Sequence, residues 1–383
     1  MKPPAPEQVL TYAAEQVERA AHGLWPGAEV RLGPAVPSVT SYVRPLEVDD
    51  RRLYAKLSIL GVSLVSLLRG SCGDWATVRD AQDSYVTAPC SLLKREAQQL
   101  AVLGGPGALR VPPVAGYDSG VLFTEPAHGP TLADLLAKEP HRTAELLEAV
   151  TSEVSTGLRR RGVASGADWS EIPERSIAGT FLRKFNGLSG HAYLRQTGYP
   201  ETLRTVVVRL RKTQRTTPSP TRTVVFGDLK PEHAVFPEST DGRPVFLDPG
   251  LMRGRPAEDA AKLVSRTVLD LVARPPQGDG VRAVLKGVAA YAASVTARGD
   301  HAGRDAWLRQ LTLLWLMDTT NILTTYLTVP AGLPLGPQVT AVVRRARTVC
   351  DMLDRSTAAL VSLRDARSTW RLCLDNAAKA AAS

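Results

Sequence analysis

Two aspartates twenty residues apart, Asp228 and Asp248, are the groups in this chain best placed to do chemistry. Each follows a short apolar run, Thr223–Phe226 and Pro244–Leu247, whose β-branched and aromatic residues read as strands. Between them, Lys230-Pro231 and Thr240-Asp241-Gly242 supply turn residues. Two carboxylates delivered by adjacent strand ends suit a base and a metal ligand. That is the layout phosphoryl transfer requires.

Other elements must hold these groups in place. Val9, Leu10, Ala13, Val17, Ala20 and Leu24 fall on one face of a helix over residues 7 to 24. Strand-like runs follow at Glu29–Leu32, Val39–Pro45 and Arg52–Leu57, and the third carries an apolar-flanked lysine, Lys56. Forty residues on, Leu93-Lys94-Arg95-Glu96-Ala97-Gln98-Gln99-Leu100 reads as a helix with Glu96 in its first turns. A lysine on a strand and a glutamate on a helix are ordinary surface charges taken singly. Paired, they make an ammonium held charged and oriented for phosphate oxygens.

The order Asp-Leu-Lys-Pro-Glu-His and then Leu-Asp-Pro-Gly, with Lys56 and Glu96 upstream, resembles the aminoglycoside phosphotransferase and choline kinase family, a branch of the protein-kinase-like fold. The resemblance covers roughly residues 30 to 270. It implies an α+β, bilobal architecture: a β-rich N-terminal lobe over 1–125 and a mostly helical C-terminal lobe over 126–383. The second lobe would carry a catalytic loop at 226–236 and a metal loop at 246–250. It implies ATP as phosphoryl donor and a hydroxyl as acceptor. Asp228 and Lys230 would be catalytic, and Asp248 would hold Mg²⁺ against the phosphates. Lys56 would contact the phosphates with Glu96 as its partner, Ser38 and Ser41 would lie in the phosphate-covering loop, and backbone groups near Glu125 and Ala127 would meet the adenine edge. Asp259 matches the aspartate the family places after the metal loop as an anchor at a helix start; a plain N-terminal helix carboxylate explains it equally well.

Three departures stand out. The loop Ser38-Val39-Thr40-Ser41-Tyr42 has no glycine, and Phe226 stands where many relatives carry histidine. His233 occupies the position of the second metal-binding asparagine. Mg²⁺ prefers hard oxygen ligands, so His233 either orients an aspartate, binds a softer ion such as Mn²⁺, or marks weakened catalysis. Between Lys56 and Glu96 an inserted segment at about 58–92, with a helix-like Leu60–Leu68, is either packing or a clamp for substrate or partner.

The large lobe reads as helical over 140–215, with breaks at Gly162–Asp168 and Gly187–Gly190 and an exposed linker at Thr213–Thr221. Leu311 to Pro330 is the most apolar segment. Its Asp318 and Asn321 favour a buried helix over a membrane span. The alanine-rich end, Ala377–Ser383, is expected to fray. Cys72, Cys90, Cys350 and Cys373 show neither paired nor metal spacing, and the start lacks the apolar core of a signal peptide, so the expected location is cytoplasmic.

Forty-seven Lys and Arg against 38 Asp and Glu give a net charge of +9. That favours anionic partners, and arginines cluster at Arg204, Arg209, Arg211 and Arg215. Aromatics are only 5%, and none interleave with this cluster, which argues against specific nucleic-acid binding. Polycationic aminoglycosides fit a basic protein poorly. The leading acceptor is therefore Ser or Thr of an acidic or neutral precursor peptide in lanthipeptide-type antibiotic biosynthesis, with a partner lyase or cyclase. A small hydroxylated metabolite or antibiotic is the alternative. The rival from another class is a nucleotide-binding pseudokinase.

Overall fold

A computed structural model describes residues 2–105, 109–160, 162–218, 222–237, 242–297 and 300–383. Helix α1 (Pro6–Leu24) forms where its apolar period predicts, and buries Val9, Ala13, Val17, Ala20 and Ala21. It lies across a five-stranded antiparallel sheet. The strands are β1 (Val30–Leu32), β2 (Tyr42–Val48) and β3 (Arg51–Leu57). After helices α2 (Leu64–Leu68), α3 (Trp75–Thr87) and α4 (Leu92–Leu103) come β4 (Val114–Asp118) and β5 (Val121–Thr124). Spatial order is β1-β2-β3-β5-β4.

The second strand starts three residues later than the apolar run suggests, so Val39 to Ser41 belong to the β1–β2 connection. Asp49 takes a positive φ of 50° at the tip, a conformation short polar side chains tolerate, and Val48 then pairs with Arg51. In that register Leu53, Ala55 and Leu57 face the core beneath α1, which turns Lys56 to the opposite face.

The inserted segment is two helices that tie parts together. The Ser63 hydroxyl caps α2, whose Leu64 and Val65 amides donate to the Thr40 and Val39 carbonyls at 3.0 and 3.2 Å. Buried Gln82 of α3 accepts from the Leu60 amide at 2.8 Å and donates to the Ser58 carbonyl at 3.3 Å. Arg69 reaches the other lobe, donating to Thr328 at 2.9 Å and lying 4.4 Å above the Tyr193 ring. Segment 58–92 thus packs on the sheet and, through Arg69, also touches the helical part of the chain.

Beyond β5 the chain is mostly helical: α5 (Leu132–Lys138), α6 (Thr143–Leu158), α7 (Val163–Trp169), α8 (Ile177–Lys184), α9 (Gly187–Arg195) and α10 (Pro200–Thr216). Four short strands follow, β6 (Thr223–Val225), β7 (Ala234–Val235), β8 (Val245–Phe246) and β9 (Met252–Gly254). The chain ends in α11 (Glu258–Ala273), α12 (Gly280–Thr296), α13 (His301–Leu327), α14 (Pro337–Arg344), α15 (Ala346–Ser362) and α16 (Ala366–Ala382).

Several expectations are corrected here. The two aspartate-bearing strands are not neighbours: β6 pairs with β9, and β8 pairs with β7. Residues 163–169 and 187–195 are helical, so Gly162 and Gly187 start helices where breaks were expected. The linker at 213–221 is helix as far as Thr216; residues 219–221, like Thr240 and Asp241 of the expected turn, lie outside the described residues. The alanine-rich end does not fray. Ala377, Ala380 and Ala381 are buried in α16, where small side chains with the best helix propensity allow close packing on α15 and α13. Helix α13 is the buried helix its composition predicts, and no helix among the described residues is long and apolar enough to cross a membrane. All four cysteines are free thiols.

Candidate active site

Strand β6 runs into the loop bearing Asp228, and three contacts fix that loop. The Phe226 ring is fully buried and packs 5.8 Å from Phe246 between centroids, so the residue replacing histidine is a core anchor. The Asp259 carboxylate, in the first turn of α11, accepts the amides of Phe226 and Gly227 at 2.8 and 2.7 Å. Gly227 sits at φ 83°, where a Cβ would come within 2.0 Å of the Gly250 carbonyl. Only glycine fits there. Through this approach the Gly250 amide reaches the Phe226 carbonyl at 2.9 Å, which locks the Asp228 and Asp248 loops together.

Burial pushes the Asp259 carboxyl up to about 6, although the two amides pull the other way. Between about pH 4 and pH 6 the folded chain keeps a proton that the unfolded chain releases. Stability therefore falls as pH rises across that window, by roughly 3 kcal/mol from this group. Asp259→Asn should flatten that slope in denaturant titrations run from pH 4 to 7.

Asp228 is buried, and both its oxygens are taken. Lys262 Nζ donates to Oδ1 at 2.7 Å; Lys230 Nζ, at 2.9 Å, and Arg175 Nη1 meet Oδ2. Burial alone would raise this carboxyl, but Lys230, Lys262 and Arg175 outweigh it and hold it well below the usual carboxylate range. Arg175 bridges further: its Nη2 lies 2.9 Å from Glu96 Oε2. Its aliphatic stem crosses Gly250, where a Cβ would meet Arg175 Cγ at 2.6 Å.

Glu96 comes from α4 and joins Lys56 of β3 within the N-terminal part, with Lys56 Nζ 2.7 and 3.0 Å from its two oxygens. The same ammonium lies 3.0 Å from Asp248 Oδ2. Burial works against the Lys56 charge, but Asp248 and Glu96 outweigh it and hold the ammonium above its ordinary range. Burial also raises Glu96, while Lys56 and Arg175, both within 3.0 Å, keep it a carboxylate. Asp248 adopts φ 53°, the left-handed region that aspartate, here as at Asp49, tolerates better than most non-glycine residues. Burial opposes its charge too, and Lys56 prevails and lowers it.

His233 stands between the two aspartates. Its Nδ1 lies 3.1 Å from the Asp228 carbonyl, which only accepts, so Nδ1 carries the proton and Nε2 its lone pair. Nε2 is 3.9 Å from Asp248 Oδ2. Burial and the neighbouring Lys230 push the imidazole down to about 4, so it is neutral at pH 7. One imidazole nitrogen and one carboxylate facing each other form a mixed donor pair that a divalent ion can use.

The nucleotide-side residues fall less tidily. Ser38 and Ser41 lie in the β1–β2 connection as expected. The Ser38 hydroxyl, however, accepts the Thr40 and Ser41 amides at 3.2 and 3.4 Å and closes a local turn. At the hinge after β5, the Glu125 amide donates to the Pro113 carbonyl at 3.0 Å, and Pro126 has no amide to give. Ala127 is therefore the first hinge amide that could meet a nucleotide base. Arg175 and Lys262 escape sequence reasoning altogether. Lys262 did leave one signal, a charge in the apolar run Ala260-Ala261-Lys262-Leu263-Val264.

No protein-family model and no curated protein sequence matches the chain. Among solved structures it is similar to amicoumacin kinase hAmiN, in complex with AMP-PNP, Ca²⁺ and Ami, with 13% identity, TM-score 0.51, and coverage of 91% of this chain and 94% of that one. It is similar also to the GDP complex of wild-type aminoglycoside 2'-phosphotransferase-IIIa, with 13% identity, TM-score 0.50, and coverage of 95% and 98%. Likeness at this identity is likeness of fold, and the chain has the protein-kinase-like fold.

Proposed function

We propose that the chain is an ATP-dependent phosphotransferase acting on a hydroxyl group. The observation that carries this is the position of Lys56, whose ammonium lies 2.7 Å from Glu96 and 3.0 Å from Asp248 and so joins groups from three elements and both lobes. Lys56 is the ligand for the nucleotide phosphates, and Glu96 keeps it charged and aimed. Asp228 orients the acceptor hydroxyl and takes its proton, and Lys230 beside it faces the transferred group. Asp248 and His233 Nε2 would hold a divalent ion, which supplies neutralisation of the phosphate charge when bound.

Two features bear on the acceptor. Arg175, Lys230 and Lys262 surround Asp228, so a polycationic acceptor meets like charge where its hydroxyl must arrive. The two structural neighbours are named for phosphorylating small molecules, which supports a small hydroxylated acceptor; the cations around Asp228 favour a neutral or anionic one. What speaks for Ser or Thr of an acidic precursor peptide, with a partner lyase or cyclase, is the net charge of +9. Isothermal titration with ATP and Mg²⁺ or Mn²⁺, beside ATP turnover on neutral, anionic, cationic and peptide hydroxyls, tests the reading. Turnover on at least one non-cationic hydroxyl is expected. Nucleotide binding with turnover on none would make the chain a pseudokinase.

The donor pair makes a second prediction. A nitrogen ligand suits Mn²⁺ better than Mg²⁺. His233→Asn should shift the ratio of kcat/KM with Mg²⁺ to that with Mn²⁺ upward by about tenfold or more. An unchanged ratio would remove the imidazole from the metal site.

A further inference from the structure

The arginine cluster noted in the sequence divides once it is folded. Arg204 pairs with Glu201 and Arg209 with Asp354, so these two belong to the scaffold. Arg211 and Arg215 instead line a cavity of about 590 Å³ between the ends of α8 and α10, with Arg255 from the segment after β9. Gln214, Thr216 and Leu182 complete much of the wall, and no acidic residue lines it among the described residues. Arg211 is fixed by donating Nη1 to the Phe185 carbonyl at 2.9 Å. Arg255 Nη1 is buried without a hydrogen-bond partner. Glu258, on the next turn, spends Oε1 on the Ile177 amide at 2.6 Å. Three arginines line one space, and no carboxylate among the described residues of its wall neutralises them, which suits an anion.

We propose that this cavity binds an anionic group, a phosphate or clustered carboxylates. Its position gives the site a use. Arg255 follows the Thr223–Gly254 end of the β6–β9 ladder, and Glu258 links this corner to Ile177 at the start of α8, two residues past Arg175 on Asp228. Resting on the phosphotransferase reading, the ligand is the anionic part of the acceptor, docked while its hydroxyl enters toward Asp228. The same chemistry would hold free phosphate as an effector.

The test uses the full chain with AMP-PNP and Mn²⁺ present, titrated calorimetrically with inorganic phosphate. Wild type should bind, with affinity falling as salt rises. Arg211→Gln with Arg255→Gln should weaken binding at least tenfold, and the exposed Arg215→Gln, which leaves the packing alone, should weaken it severalfold. No phosphate binding, or equal affinity in wild type and both variants, overturns the proposal. Turnover then separates the sources. Phosphate that competes with the acceptor, together with a raised KM and unchanged kcat in Arg215→Gln, marks acceptor docking; an altered kcat without competition marks an effector. Because the titration needs no turnover, it stands or falls apart from the phosphotransferase reading.

Discussion

Asp228→Asn lowers kcat for phosphoryl transfer by roughly 10²- to 10⁴-fold, the range a positioned proton acceptor supplies, while nucleotide affinity stays within a few-fold of wild type. The amide keeps the shape of the carboxylate but neither takes a proton nor carries charge. Both losses matter at this position. Lys262, Lys230 and Arg175 share this one buried carboxylate, two of them at 2.7 and 2.9 Å. Neutralising it leaves three mutually repelling cations, so the variant is also destabilised, by about 3 kcal/mol or more. The two effects are separable. Loss of stability appears in denaturant titrations without substrate, and loss of the base appears in kcat under conditions where the variant remains folded. The acceptor KM should change much less than kcat, because the carboxylate matters most when the hydroxyl is losing its proton. A variant retaining more than about a tenth of wild-type kcat would take the base role away from Asp228.

Legibility in the sequence followed the range of the contacts. Asp228, Lys230 and His233 lie within six residues, on a loop whose turn residues and flanking apolar runs are local signals, so they were readable together. Lys56 and Glu96, forty residues apart and ordinary surface charges taken singly, were paired only through the resemblance to the kinase motif. Arg175 meets Asp228 across 53 residues and Lys262 meets it across 34, and neither contact leaves a periodic trace. Strand neighbours were misjudged for the same reason. The ladder partner of β6 is β9, because hydrogen bonds between distant segments choose partners that propensity along the chain does not encode. The late start of β2 is another long-range effect: β3 ends at Leu57 opposite Tyr42, and the Val39 and Thr40 carbonyls accept amides of α2 instead. Glycines read as helix breakers turned out to begin helices, since Gly162 at φ 91° turns the chain into α7.

Glu96→Ala should destabilise the fold by about 3 kcal/mol, toward the low end for breaking a buried ion pair, and the reason it is not more lies in the network. Glu96 is 1% exposed and neutralises two cations, Lys56 and Arg175. Removing it does not strand either one completely. Lys56 still has Asp248 at 3.0 Å, and Arg175 still has Asp228. Each carboxylate, however, must now hold its cation without the tie between lobes, and each cation lies in a space vacated by a side chain and closed to water. The double variant Lys56→Met with Glu96→Leu distinguishes this account from simple loss of packing. It removes one buried charge of each sign and fills the volume with apolar atoms, an exchange that is often neutral or stabilising. Its stability should recover most of what Glu96→Ala loses, giving a coupling energy of about 1–3 kcal/mol in a double-mutant cycle. Nucleotide binding should not recover, because the ammonium that would face the phosphates is gone. Recovery of stability without recovery of nucleotide affinity would separate the two roles of the pair. If stability and affinity returned together, Lys56 would be a structural charge and the phosphates would be held elsewhere.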